Sequence, residues 1–174
     1  MIRYRKKTAI GIAAATTLAV AVMTVPALAT HTTGFSPSTI SFGVFGPFDV
    51  KAEKNDKWDL SIKSKGQTDL RVNRVVWAPG ASSNWHSHPG PNLLTVKRGS
   101  VTEYEGSDPL CPHTTYNVGD TFGDSGGSAV HLVVNNGSVE AEVIAVAFYP
   151  HDVTPVTATK PRPNNCSAVG APAH

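Results

Sequence analysis

Apolar and polar residues alternate with a period of two through most of the middle of this chain, and turn-forming clusters interrupt the alternation at short intervals. Residues 47–53 (PFDVKAE) and 58–63 (WDLSIK) read as half-buried strands around a turn at 54–56, and residues 70–78 (LRVNRVVWA) as a third strand stopped by Pro79 and Gly80. After an irregular bend at Pro89-Gly90-Pro91, residues 93–97 and 101–105 read as a hairpin joined across Arg98-Gly99-Ser100. Residues 106–113, with Pro109 and Pro112, form a loop; extended structure resumes at 115–118 and 121–122, and a glycine- and serine-rich link at 123–128 follows. Residues 130–135 and 139–149 then read as a second hairpin, closed by Asn136-Gly137, the strongest two-residue turn signal in the chain. Eight to ten short strands without an amphipathic helix predict an all-β, single-domain barrel or two-sheet fold over residues 47–150.

The flanks lack this pattern. Residues 30–46 show no clear period and are expected to form an N-terminal arm over the barrel. The stretch 151–174 carries prolines at 155, 161, 163 and 172 and few large apolar side chains, so it reads as a tail that cannot build a core of its own. Residues 1–29 read as an export signal: Arg3, Arg5, Lys6 and Lys7 precede an Ala- and Thr-rich apolar run, and Ala27-Leu28-Ala29 forms an A-x-A cleavage site. The composition of that run and the cleavage site weigh against a retained membrane anchor. The charge picture then changes, because four of the 15 Lys and Arg lie in the signal and none of the 13 Asp and Glu do, leaving 11 against 13. The mature chain is mildly acidic and has no basic cluster to follow a phosphate backbone, so no nucleic-acid partner and no membrane association after cleavage are expected. In an exported chain the two cysteines, Cys111 and Cys166, read as one disulfide tying the tail to the barrel. Cys111 as a nucleophile or sulfur ligand has no supporting neighbour pattern.

Candidate chemistry concentrates in GASSNWHSHPGPNLLTVKRG, residues 80–99. His86 and His88 are two apart, so on an extended segment both imidazoles leave the same face, and His131 in VHLVVNNG supplies a third. The spacing Gly80, His86, His88, Asn92, Gly99 resembles the first motif of the cupins, written G, five residues, H-x-H, three or four residues, E, six residues, G, with Asn92 in place of the glutamate. His131 followed by Asn135 is similar to the end of the second cupin motif, although Gly119 opens that motif one residue early and Gly126 and Ser128 stand where proline and glycine are usual. The resemblance implies a double-stranded β-helix, the cupin jelly roll, with His86, His88 and His131 as ligands of one divalent metal.

Asn92 shapes the chemistry that the resemblance implies. A neutral amide brings no charge and shuttles no proton near neutral pH, so the site reads as a three-histidine centre like those of cysteine-type and diketone-type dioxygenases. Germin-like oxalate chemistry, associated with the full histidine and glutamate set, is disfavoured. Fe, Mn, Zn, Cu and Ni all remain open as the ion. Asn92, Trp85 and Tyr104 are expected to line the pocket, whereas His31, His113, His151 and His174 read as ordinary histidines. Cupins include dioxygenases, decarboxylases, isomerases, sugar-binding domains and storage proteins. An oxygenase-like enzyme of small molecules therefore stands beside a binding protein that holds a ligand or metal without turnover. A homodimer formed through sheet edges is a further expectation from the family, and a pocket that has kept its histidines without a metal is the plain structural alternative.

Overall fold

A computed structural model describes residues 34–156 and 161–172 of the 174-residue chain, so the export signal expected at 1–29 lies outside the described residues. The described residues form ten strands: β1 Phe35–Phe45, β2 Phe48–Lys51, β3 Ser61–Ser64, β4 Thr68–Trp77, β5 Asn92–Arg98, β6 Ser100–Glu105, β7 His113–Asn117, β8 Thr121–Asp124, β9 His131–Val134 and β10 Ala141–Pro150. Every pairing is antiparallel. A five-stranded sheet in the order β1-β4-β10-β5-β8 and a three-stranded sheet in the order β7-β6-β9 make up the jelly roll, with β2 and β3 as a separate hairpin. Between the two sheets, Val75 and Trp77 of β4, Val96 of β5, Ala141 and Val143 of β10, Val101 of β6 and Val133 of β9 form the main apolar core. Among the described residues, no helix is long and apolar enough to cross a membrane.

Both expected hairpins are sheet crossings instead. β5 pairs with β10 and β8, whereas β6, which begins just past Gly99 where β5 ends, pairs with β7 and β9. Gly99 makes the crossing: its φ of +66° is left-handed, and a β-carbon there would stand 2.7 Å from the carbonyl oxygen of Glu140. The Asn136-Gly137 pair likewise fails to turn β9 back onto β10. The fully buried Asn135 side chain takes up the link's hydrogen bonds, donating Nδ2–H to the carbonyls of Trp77 (3.0 Å) and Val139 (2.8 Å) and accepting from Gly137 N–H (2.9 Å). The chain is thereby delivered to the other sheet.

The flanks are more structured than their composition suggests. Within the stretch expected to be an arm, β1 is hydrogen-bonded along β4 as the edge of the five-stranded sheet. Its pattern is unreadable because Ile40, Phe42, Val44 and Phe45 are all exposed. In the tail, Cys166 lies in a 3-10 helix, Asn164–Val169, and is bonded to Cys111. The residues after Cys166 are placed as far as Pro172: Ala171 is buried, and the indole N–H of Trp85 donates to the carbonyl of Pro172 at 3.2 Å.

Candidate metal centre

The segment between β4 and β5 carries His86 and His88 and runs against β9 as an extended bridge, with His86 and His131 exchanging both backbone hydrogen bonds (3.0 and 2.9 Å). Asn84, just before the histidines, holds a left-handed φ of +60°. Trp85 and Ser87 turn away from the cavity, while His86 and His88 turn into it beside His131. The three imidazoles converge: His86 Nε2 lies 3.0 Å from His88 Nε2 and 3.1 Å from His131 Nε2.

The other ring nitrogens decide what those Nε2 atoms are. His86 Nδ1 meets the carbonyl oxygen of Asn84 at 2.7 Å and His88 Nδ1 that of Pro155 at 3.1 Å; a carbonyl only accepts, so each Nδ1 carries the proton. His131 Nδ1 faces the Glu103 carboxylate at 3.4 Å, which favours the same tautomer. Burial, with the neighbouring His131 and His88 as lesser causes, pushes the His86 pKa down to about 3, and burial lowers that of His88 against the opposing pull of Asp124. Neutral rings protonated at Nδ1 leave Nε2 lone pairs crowded together. This arrangement fits a transition-metal ion, for which three neutral imidazole nitrogens are good ligands.

Around the histidines is a cavity of about 320 Å³. Its walls are apolar where Phe35, Val75, Trp77, Leu94, Phe122 and Val133 meet it, and polar at Asn92, Asp124 and Tyr149. Asn92 does line the cavity, and both ends of its amide are engaged: Nδ2–H donates to Asp124 Oδ2 at 2.7 Å, and Oδ1 accepts from the Tyr149 hydroxyl at 2.6 Å. The same hydroxyl lies 3.2 Å from His88 Nδ1. Burial pushes the Tyr149 pKa up to about 12, so the phenol stays a donor.

Trp85 and Tyr104, expected to line the pocket, do not. Both belong to a second apolar cluster with Leu132, Val134, Ala171 and the Cys111–Cys166 disulfide, on the other face of the three-stranded sheet. Alternation is the cause: along β6, Val101 and Glu103 face the cavity side and Thr102 and Tyr104 face away, and Trp85 is out of phase with His86 and His88. Of the two tryptophans flanking the motif, only Trp77 reaches the cavity. Sequence reasoning did not single out Glu103, Asp124 or Tyr149. Glu103 had a readable sign, a carboxylate in phase with the core residue Val101; Asp124 and Tyr149 reach Asn92 only through tertiary placement.

No protein-family model matches the chain, and no curated protein matches it. Among solved structures, a cupin-like protein from Thermotoga maritima is 28% identical, over 51% of this chain and 62% of its own, with a TM-score of 0.42. Peruvianin-I, a cysteine peptidase from Thevetia peruviana latex, is 27% identical over 45% of this chain and 49% of its own, with a TM-score of 0.41; this chain thus spans about half its length. A cupin superfamily protein from Desulfitobacterium hafniense is 11% identical over 59% and 77%, with a TM-score of 0.40. Two antiparallel sheets joined by crossings at Gly99 and Asn135, with His86, His88 and His131 brought together between them, agree with the jelly roll and the three-histidine cluster that the cupin-like motifs imply.

Proposed function

We propose that this is an exported cupin that holds one divalent transition-metal ion through Nε2 of His86, His88 and His131 and accepts a small organic molecule in the adjoining cavity, as a dioxygenase-like enzyme. The observation that carries the metal reading is the trio of Nε2 atoms, two pairs of them at 3.0 and 3.1 Å, with the opposite ring nitrogens facing acceptors. The ion would supply Lewis acidity and open positions for substrate and oxygen. The chain's own residues hold the rings in one tautomer, keep the Asn92 amide turned toward Tyr149 and Asp124, and surround the site with apolar walls that limit water. Support for export comes from the basic start, the A-x-A site and the disulfide, a bond suited to oxidising compartments.

A second reading, a binding protein without turnover, is favoured by one feature: the amide at position 92 is tied at both ends and offers no acid or base. Purified protein assayed for metal content, then for oxygen uptake with diketones, thiols and phenols, separates the two. Oxygen consumption that depends on both metal and substrate supports the enzyme. Bound metal without turnover on any of these classes supports the binding protein, and absence of bound metal after loading contradicts the metal centre and the enzyme built on it.

A further inference from the structure

The cavity has a second polar feature, remote in sequence from the histidine motif. On β4 the side chains at 71, 73, 75 and 77 all line the cavity, so the alternation that puts Val75 and Trp77 inside also puts Arg71 and Asn73 inside, while Leu70 and Val72 occupy the other face. Strand register places Arg71 opposite Ala147 of β10, which pairs with Asn92 of β5, which in turn pairs with Asp124 of β8. Arg71 thus belongs to the same cross-sheet row as the polar wall of the metal centre. Asn73 belongs to the next row, opposite Ala145 and Leu94.

Both side chains have donors to spare. Arg71 gives Nη2–H to Asp69 Oδ2 at 2.9 Å, and its guanidinium lies 4.7 Å from the centroid of the Phe42 ring, yet Nε is buried without an acceptor among the described residues. A guanidinium has five N–H donors in a planar fork matched to a carboxylate. Thr39 Oγ1 donates to Asn73 Oδ1 at 2.9 Å, so what Asn73 has left to offer is its NH₂ end. The cavity that holds this pair and the histidines also has apolar walls, including Val75, Leu94, Phe122 and Ala145. We propose that Arg71 and Asn73 form an anion subsite that binds the carboxylate of a small organic acid, whose apolar body fills the cavity and whose other end reaches the metal position. The direction of the ligand rests on the metal-binding reading; the subsite does not.

The test uses benzoate and its uncharged isostere benzamide, titrated into ¹⁵N-labelled protein after chelation and again after loading with Zn²⁺. In the metal-free protein, benzoate should bind saturably and shift the Arg71 Nε–H and Asn73 NH₂ resonances, with benzamide at least about tenfold weaker. Arg71→Gln and, independently, Asn73→Leu should each weaken benzoate by about tenfold or more. Benzoate and benzamide binding alike, benzoate binding undiminished in both variants, or no saturable benzoate binding up to about 10 mM overturns the subsite. If the protein takes up no metal while benzoate still engages Arg71, the subsite stands and the metal reading falls; if metal binds while benzoate ignores Arg71 and Asn73, the reverse holds.

Discussion

Asn92 occupies the position where related motifs carry a carboxylate, and its oxygen is already accepting the Tyr149 hydroxyl. Asn92→Ala should therefore leave most of the metal affinity, whereas His86→Ala, His88→Ala or His131→Ala should each remove a nitrogen ligand and most of the binding; competition titration with a chelator reads the contrast. Asn92→Glu sets a second carboxylate against Asp124, whose Oδ2 lies 2.7 Å from the native amide nitrogen. That variant should melt below the native protein without metal and recover with Mn²⁺, a hard ion that favours oxygen ligands. Equal melting temperatures without metal would show that the Asp124 contact does not constrain position 92. Glu103→Gln keeps a hydrogen-bonding group beside His131 but removes its charge, and metal affinity should fall about ten- to a hundredfold. An unchanged affinity would mean that Glu103 does not tune that ring.

At the scale of strands, the link between β4 and the segment after β10 holds a titrating pair. His151 Nδ1 lies 2.7 Å from Asp69 Oδ1, and Arg71 bonds the other oxygen of the same carboxylate. The hydrogen bond from His151, ahead of the contribution of Arg71, holds the Asp69 pKa below its ordinary value, and the hydrogen bond to Asp69 raises that of His151. The raised histidine contributes stability that is full below about pH 6.5 and fades as pH climbs through its folded pKa; the depressed carboxyl contributes stability that is full above about pH 4 and fades as pH falls through its folded pKa. The pair therefore stabilises most between those limits. His151→Gln should flatten the decline in melting temperature on the alkaline side of neutrality, and an unaltered slope would show that the pair does not govern it. Strands were the most legible feature of the sequence because alternation is local, and for the same reason the i, i+2 histidines could be assigned to one face. What joins to what was not legible: Arg98-Gly99-Ser100 and Asn136-Gly137 look alike whether a chain folds back or crosses to the facing sheet. The choice depends on the close approach of Glu140 to Gly99 and on the bonds that Asn135 makes to Trp77 and Val139.

In the molecule as a whole, β6 and β9 of the three-stranded sheet are covered on both faces, by the cavity and main core on one side and by the disulfide-tied tail on the other. Composition marked the tail as unable to build a core, and it does not; it covers one by seating Ala171 and Cys166 against Trp85. This explains why Trp85 and Tyr104 were misplaced, since a residue facing away from the cavity of a single-domain barrel is not expected to be buried. The disulfide spans 55 residues, so chain entropy predicts about 4 kcal/mol of stabilisation, and Cys111→Ala/Cys166→Ala should lower the denaturation free energy by a figure of that order; a loss below about 1 kcal/mol would show that the tail packs without the bond. The central claim is that three neutral imidazoles, each protonated at Nδ1, present Nε2 to one metal ion. Long-range ¹H–¹⁵N spectra of the histidine rings, recorded on metal-free protein and during addition of Zn²⁺, test it most directly. The prediction is three Nδ1–H tautomers at neutral pH, for His86, His88 and His131, whose Nε2 signals all move and saturate together at one equivalent. Nε2 signals that stay in place, or a metal-free Nε2–H tautomer on any of the three rings, would contradict it.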